Sequence, residues 1–97
     1  MTMTFVGEVT WLGKIQTGQR QDGTVWARRE FVVTELSERY PQSMVMTLNG
    51  DMAALPPVKE GMKVKCSYSC KAREYQGRWY NNIDCWRVEV IEPKQEE

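Results

Sequence analysis

Residues 58–90, VKEGMKVKCSYSCKAREYQGRWYNNIDCWRVEV, form two alternating arms around Gln76-Gly77. Alternation of polar and apolar residues with a period of two is typical of β-strands, and glycine tolerates the positive φ of a tight turn. The stretch therefore predicts a long antiparallel hairpin. Because successive side chains of a strand point to opposite faces, the first arm is expected to have one basic face and one core face, the latter made of Val64, Cys66, Tyr68, Cys70 and Ala72.

The tip of this hairpin interleaves cations with aromatic rings over eight positions, with Arg73, Tyr75, Arg78, Trp79 and Tyr80. Cations can follow a phosphate backbone, and unpaired bases stack on flat rings. The whole chain has 13 basic and 13 acidic side chains and no net charge, but residues 61–78 carry five Lys or Arg and a single acid. Since local charge decides which partner a surface attracts, the tip predicts contact with single-stranded nucleic acid.

Length and composition indicate one ordinary globular domain. The 97 residues suffice for a single small core, and 41% hydrophobic with 27% charged residues is typical of soluble proteins. No apolar run approaches the roughly 20 residues that cross a membrane, and the N-terminus resembles a strand rather than a leader. A cytoplasmic protein is therefore expected, with residues 1–92 forming the domain and residues 93–97 a short acidic, disordered tail.

The residue types argue against an enzyme and against a metal site. The chain has no histidine, the most frequent general base, and no nucleophile motif or glycine-rich phosphate loop. It has no C-x-x-C pair, and Cys66 and Cys70 would lie roughly 13 Å apart on one strand, too far for a disulfide. All three cysteines, Cys66, Cys70 and Cys85, are predicted to be free, buried thiols. Neither catalysis nor a cofactor is expected.

Three further strands and one helical turn precede the hairpin. Strand patterns occur within the first 18 residues, at 25–36 and at 43–48, and Asp22-Gly23 is a hairpin signal between the first two. Glycines inside the first strand predict a bulge or bend. Asp51 is expected to cap the single helical turn DMAAL.

The aromatic residues of the strands divide into core and surface candidates. Alternation places three of them in core phases, namely Trp11, Phe31 and Tyr68. In the last strand, the inward phase of Cys85 would also bury Arg87, so a bulge is predicted at Cys85-Trp86. The shifted phase would then bury Trp86, Val88 and Val90.

Five strands with a short helix between the third and the fourth is the order of the oligonucleotide/oligosaccharide-binding (OB) fold, an all-β Greek-key barrel. Four fragments in order, REFVVTE at 29–35, MTLNGDMAAL at 46–55, VKEGMKVKCSY at 58–68 and AREYQGRWY at 72–80, resemble bacterial single-stranded DNA-binding proteins. The chain is still more similar, over about residues 5–91, to a family of short bacterial and phage proteins known as a domain of unknown function. That similarity rests on residues 26–32, Tyr40-Pro41, Gly50-Asp51, residues 73–80 and Cys85-Trp86-Arg87.

The resemblance implies a non-catalytic protein that binds single-stranded DNA in replication, recombination or repair. Because small barrels of this kind leave sheet edges open, a homo-oligomer, a dimer or a tetramer, is also expected, and replication or repair proteins are candidate further partners. The acidic tail with a terminal aromatic residue that recruits such proteins in the larger family has no counterpart here, so only strand binding is carried over. A protein-interaction barrel and an RNA-binding or oligosaccharide-binding barrel remain as alternatives, because stacking rings do not distinguish DNA from RNA.

The candidate binding residues are rings for stacking and cations for phosphates, since none of the cations is placed to recognise base edges. The sequence does not decide which of Arg28 and Arg29 faces the ligand, and weak base preference is expected. The candidates are Trp26, Arg28, Arg29, Lys63, Lys65, Lys71, Arg73, Tyr75, Arg78, Trp79 and Tyr80.

Overall fold

The computed structural model describes residues 3–92, which form six strands and one helical turn. The predicted disordered tail, residues 93–97, lies outside the described residues. The elements in chain order are β1 (Met3–Leu12), β2 (Gln16–Gln19), β3 (Val25–Thr34), β4 (Ser43–Asn49), α1 (Asp51–Ala54), β5 (Lys63–Tyr75) and β6 (Arg78–Glu92). None of the helical structure in residues 3–92 is long and apolar enough to cross a membrane.

The strands form one sheet that closes on itself. Their order is β1-β5-β6-β4-β3-β2, and an additional pairing of β1 with β3 completes the ring. The pairs are antiparallel except β4 with β6, which meet in parallel at Thr47 and Asp84. Because β1 and β2 are the two halves of the predicted first strand, separated at residues 13–15, the predicted five-stranded OB fold with a helix between its third and fourth strands is confirmed.

The core lies inside this ring, where alternate residues of the strands point inward. Phe31 and Val33 on β3 meet Met46 and Leu48 on β4, and all four are fully buried. Ala53 of α1 is also fully buried and joins the same cluster. The predicted core position of Phe31 is confirmed, and Tyr68 packs half-buried against the cluster.

A bulge in β1 overturns the predicted burial of Trp11. Val9 pairs with Val33, whereas Trp11 pairs with Val32, so Thr10 is an extra residue on β1. The extra residue shifts the phase of the strand. Trp11 therefore follows the outward face with Val32 and is 49% exposed. The glycine-based prediction of an irregularity in this strand is right, but the bulge lies at Thr10.

The bulge predicted in the last strand is present, but its consequence differs from the prediction. Ser67 pairs with Arg87 and Tyr68 with Cys85, which leaves Trp86 as the extra residue. Cys85 keeps the inward phase and is 3% exposed, while Trp86 is 52% exposed and Val90 46% exposed. The burial predicted for Trp86 and Val90 is therefore wrong, and of the three predicted residues Val88 alone packs against the core.

The hairpin of β5 and β6 extends beyond the body of the sheet. Gln76 and Gly77 form its turn with φ of 51° and 80°, as predicted from the glycine. Residues 70–82 are exposed on both faces, because no other strand pairs with this part of the hairpin among residues 3–92. The core face predicted for Cys70 and Ala72 is therefore wrong, since the core ends near Ser69.

The short helix begins in a different way from the prediction. Gly50, with φ of 63°, is the N-cap, and no side chain caps the turn by a hydrogen bond. Asp51 is the first helical residue, so its predicted role as the cap is wrong. Its backbone carbonyl oxygen instead accepts a hydrogen bond from the Leu55 amide at 2.9 Å.

Candidate nucleic-acid interface

A groove of about 400 Å³ lies where the outer face of β3 and β4 meets the protruding hairpin. The lining residues of β3 and β4 form what is called its floor, and those of the β5–β6 hairpin form its wall. The residues that line it are Arg28, Glu30, Val45, Thr47, Arg73, Tyr80, Asn81, Asn82 and Ile83.

The floor of the groove follows from strand alternation. Phe31 and Met46 are paired and face the core, so the alternate positions of both strands face outward. Glu30 pairs with Thr47 on that outward face, and Arg28 pairs with Asn49. Polar side chains therefore form a continuous surface across the two strands.

The hairpin is joined to this floor at the parallel contact. The side-chain amide of Asn49 donates a hydrogen bond from Nδ2 to Oδ1 of Asp84 at 3.2 Å. Asp84 of β6 therefore shares the outward face of β4. Since Asn82 and Tyr80 precede Asp84 at intervals of two, they continue the same face along the hairpin toward its turn.

Directly opposed residues of the hairpin extend this face to the turn. Arg73 pairs with Tyr80, and Tyr75 with Arg78. Paired residues of an antiparallel ladder lie on the same side of the sheet. The predicted candidates Lys71, Arg73, Tyr75, Arg78 and Tyr80 thus share the face that borders the groove.

Trp79 lies on the opposite face of the hairpin. It pairs with Glu74 and is 69% exposed. Trp79, Tyr75 and Tyr80 are predicted from the sequence as one group at the tip, whereas strand alternation separates the indole from the two phenols. The hairpin therefore presents aromatic rings on both of its faces, and Trp79 does not line the groove.

The two adjacent arginines of β3 have different orientations. Arg28 lines the groove, and its Nη2 donates a hydrogen bond to Oε1 of Gln16 on β2 at 3.3 Å. Arg29 follows the inward phase and is half-buried. Its Nε is buried without a hydrogen-bond partner within residues 3–92. Of the two candidates, the structure brings Arg28 to the groove.

Trp26 lies on the outward face of β3, further along the strand than Arg28. It pairs with Gly18 of β2, and a Cβ atom at Gly18 would overlap its indole ring. The ring therefore packs directly on the glycine backbone with one side, and the side chain is 37% exposed. Trp26 is a flat ring beside the groove rather than within it.

Lys63 and Lys65 are remote from the groove. They lie at the opposite end of β5, where Lys65 pairs with Val6 of β1 and Glu89 of β6. At about 3.3 Å per residue, Lys65 is about 26 Å along the strand from Arg73. Apart from the inward-facing Arg29, the predicted cations therefore divide into a groove group and a separate pair at the base of the hairpin.

Trp11 is a surface ring that the sequence pattern did not predict. A second cavity of about 430 Å³ lies beside β3, on the side away from the hairpin, and is lined by Trp11, Leu12, Gly13, Lys14, Gln16 and Glu30. Glu30 borders both cavities. The indole packs against Gly13, where a Cβ atom would lie 2.6 Å from the ring. A glycine two residues after the tryptophan is therefore the sequence feature that accompanies this surface position.

The three cysteines are free, as predicted. Cys66 and Cys85 are buried neighbours, and the hydrogen bond from the Cys66 thiol to Cys85, together with burial, raises the pKa of Cys66 well above its usual range. Cys66 is therefore a neutral thiol. Cys70 is exposed, so its predicted burial is wrong. No cluster of potential metal ligands occurs among the described residues 3–92.

The closed sheet, the single turn of helix after β4 and the groove bordered by the hairpin together define an OB-fold protein. Residues 4–89 match the family described as "Domain of unknown function (DUF3127)". The chain belongs to this family, in agreement with the resemblance seen in the sequence. Comparison with curated protein sequences gave no match.

Solved structures of similar fold include proteins from Methanococcus maripaludis, S. cerevisiae and Synechococcus sp.. The second OB-fold domain of replication protein A from Methanococcus maripaludis is 23% identical, with a TM-score of 0.68 over 99% of this chain and 89% of that domain. A mitochondrial single-stranded DNA-binding protein from S. cerevisiae is 9% identical, with a TM-score of 0.65 over 96% of this chain and 97% of that one. The SSB domain of a Synechococcus sp. protein is 15% identical, with a TM-score of 0.61 over 90% of this chain and 91% of that one. At these identities the similarity shows the fold.

Proposed function

We propose that this protein binds single-stranded DNA in the groove between the outer face of β3 and β4 and the hairpin. The observation that carries the proposal is the convergence of Arg28, Arg73 and Tyr80 on one groove from three different strands. The solved structures of similar fold include proteins named for single-stranded DNA binding. The binding is non-catalytic and serves replication, recombination or repair in the cytoplasm.

Each group has a role that follows from its chemistry. The ring of Tyr80, 44% exposed, offers a face on which an unpaired base can stack. The guanidinium groups of Arg28 and Arg73 form charge-assisted hydrogen bonds with phosphate oxygens. The exposed hydrocarbon of Val45 in the floor provides apolar contact for bases or sugars.

A duplex does not fit this arrangement, because its bases are paired and stacked on each other and cannot reach a protein ring. Binding therefore discriminates single strands from duplex by the availability of base faces. It depends weakly on sequence where stacking and phosphate contact dominate.

The test is tryptophan fluorescence during titration with a mixed-sequence single strand, the matching duplex and the matching RNA. Saturable quenching by the DNA strand and little by the duplex is expected. The Tyr80→Ala variant retains all four tryptophans as reporters and should bind more weakly by about 1–3 kcal/mol, the usual value of one stacked base.

The matched control is Tyr40→Asn, which removes an 84% exposed ring in the loop between β3 and β4. Asparagine suits the backbone there, because Tyr40 has φ of 54°. Equal affinities of wild type, the Tyr80 variant and the Tyr40 variant would contradict the proposed groove. Absence of binding to the DNA strand at low salt would contradict the function itself. Tighter binding of the RNA than of the DNA strand would identify RNA as the ligand.

We also propose that the chain associates with further copies of itself, as a dimer or a tetramer. Val6 on β1, Trp86 at the β6 bulge and Ile91 near the end of β6 are apolar side chains that are each more than two fifths exposed. Burial of such residues between copies is favourable. A monomer at all concentrations in light scattering would contradict this proposal.

A further inference from the structure

The cavity of about 430 Å³ between β1, β2 and β3 is lined in part by Gln16 and Glu30. Their side-chain amide and carboxylate have no role in base stacking or in phosphate contact. The cavity is separated from the groove by Glu30, which borders both. The backbone holds the cavity wall in place, since the Gly13 amide donates a hydrogen bond to the Glu30 carbonyl oxygen at 2.8 Å. A strand in the groove therefore has a second recess within reach of its next base.

Trp11 supplies an aromatic wall to this recess. One part of its indole packs against Gly13, and the side chain remains 49% exposed. Lys14 also lines the cavity and provides a cation at its rim. A ring with a nearby cation can hold a nucleobase and its phosphate.

Glu30 brings a hydrogen-bond acceptor to the lining of this recess. Its side chain is half-buried, and its carboxylate has no hydrogen-bond or ion-pair partner among residues 3–92. A carboxylate repels phosphate and accepts hydrogen bonds only. The donors that a bound DNA strand offers to this carboxylate are the N–H groups on its base edges.

Gln16 adds a donor with a defined direction. Its Oε1 accepts the hydrogen bond from Arg28 Nη2 at 3.3 Å. The side-chain amide nitrogen of Gln16 is thereby left to donate, because oxygen and nitrogen of the amide have fixed roles. The lining of the recess thus includes an acceptor with two oxygens, the Glu30 carboxylate, and a donor, the Gln16 amide.

We infer that this recess binds guanine, and this inference rests on the proposed binding of single-stranded DNA. Guanine presents N1–H and the exocyclic N2 amino group side by side, so both oxygens of the Glu30 carboxylate can accept from it. Its O6 accepts a hydrogen bond from the Gln16 amide, and its ring stacks on Trp11. Thymine has one N–H between two carbonyl oxygens, which repel the carboxylate, and cytosine and adenine have one exocyclic amino group beside a ring acceptor.

The experiment compares short oligothymidines that carry one central guanine, inosine, cytosine, adenine or thymine. The host strand occupies the sequence-tolerant groove, and the central base probes the recess. The guanine strand is expected to bind about fivefold or more tightly than the thymine strand, the lower end of the range for a bidentate base contact. Inosine lacks the N2 amino group and should lose most of this preference.

Two variants assign the preference to the carboxylate. Glu30→Gln replaces one acceptor oxygen with a donor. In this variant the guanine strand should exceed the thymine strand in affinity only by about as much as the inosine strand does in the wild type. Glu74→Gln removes the same charge from the opposite, Trp79-bearing face of the hairpin and should retain the preference. Equal affinity for all five strands in wild-type protein, or an unchanged guanine preference in Glu30→Gln, would overturn the guanine site while leaving strand binding intact. Failure to bind any of the strands would overturn both proposals.

Discussion

Arg73→Gln is expected to reduce the salt dependence of DNA binding, because Arg73 is one of four cations on the groove face. The other three are Arg28, Lys71 and Arg78. For single strands, each neutralised phosphate contributes about −0.7 to the slope of log K against log salt concentration. The wild type should therefore have a slope of about −2.8, and the variant about −2.1.

These slopes translate into measurable affinities. Between about 50 and about 200 mM salt, a slope of −2.8 lowers the affinity about fifty-fold, and a slope of −2.1 lowers it about twenty-fold. The assay is fluorescence titration with a short oligothymidine at four or more salt concentrations. Circular dichroism of both proteins checks that the exposed substitution leaves the fold intact.

Lys65→Gln is the matched control. It removes the same charge from the same strand, but at the base of the hairpin, away from the groove. Its slope should equal that of the wild type. If Lys65→Gln lowers the slope and Arg73→Gln does not, the strand follows the base of β5, and the reasoning from the groove is refuted.

Three further outcomes follow from the structure. Trp79→Ala should weaken strand binding less than Tyr80→Ala does, since its ring lies on the other face of the hairpin; a titration in which Trp79→Ala loses more would place the strand on that face. Gly7→Ala should lower the free energy of unfolding by about 1–3 kcal/mol in urea denaturation, because the new Cβ would overlap the backbone carbonyl of Thr34; unchanged stability would show that β1 shifts freely. A thiol reagent should modify Cys70 rapidly in the folded protein and the two buried cysteines slowly. Mass spectrometry that shows all three thiols modified at the same rate would contradict this burial.

The alternation of residues predicted most of the fold because strand faces depend on local pattern. The hairpin turn, the short helix and the inward phase of Phe31 all follow from neighbouring residues. The two bulges mark the limit of this reasoning. A single extra residue at Thr10 reverses the face of Trp11, and the position of such a residue is decided by pairing with a distant strand rather than by the local sequence.

The sequence predicted the candidate site as a set of residue types and did not predict its place in the fold. Arg28, Arg73 and Tyr80 were among the candidates and meet in one groove. Lys65 was included because it continues a basic strand face, and the pattern contains no information on where the barrel ends along that strand. Glu30 was not included, because an acid gains a role at a nucleic-acid surface only when the fold places it beside a ring and an amide.

The junction between β4 and β6 gives the groove a mechanical role. β4 and β6 are joined there by one parallel pair, Thr47 with Asp84, and by the side-chain hydrogen bond from Asn49. A DNA strand that contacts Thr47 on one side and Tyr80 on the other would bridge this junction and add connections that the protein lacks. Bound DNA would then hold the barrel closed, so the amides of β4 and of the adjoining part of β6 should exchange with solvent more slowly in the complex than in the free protein.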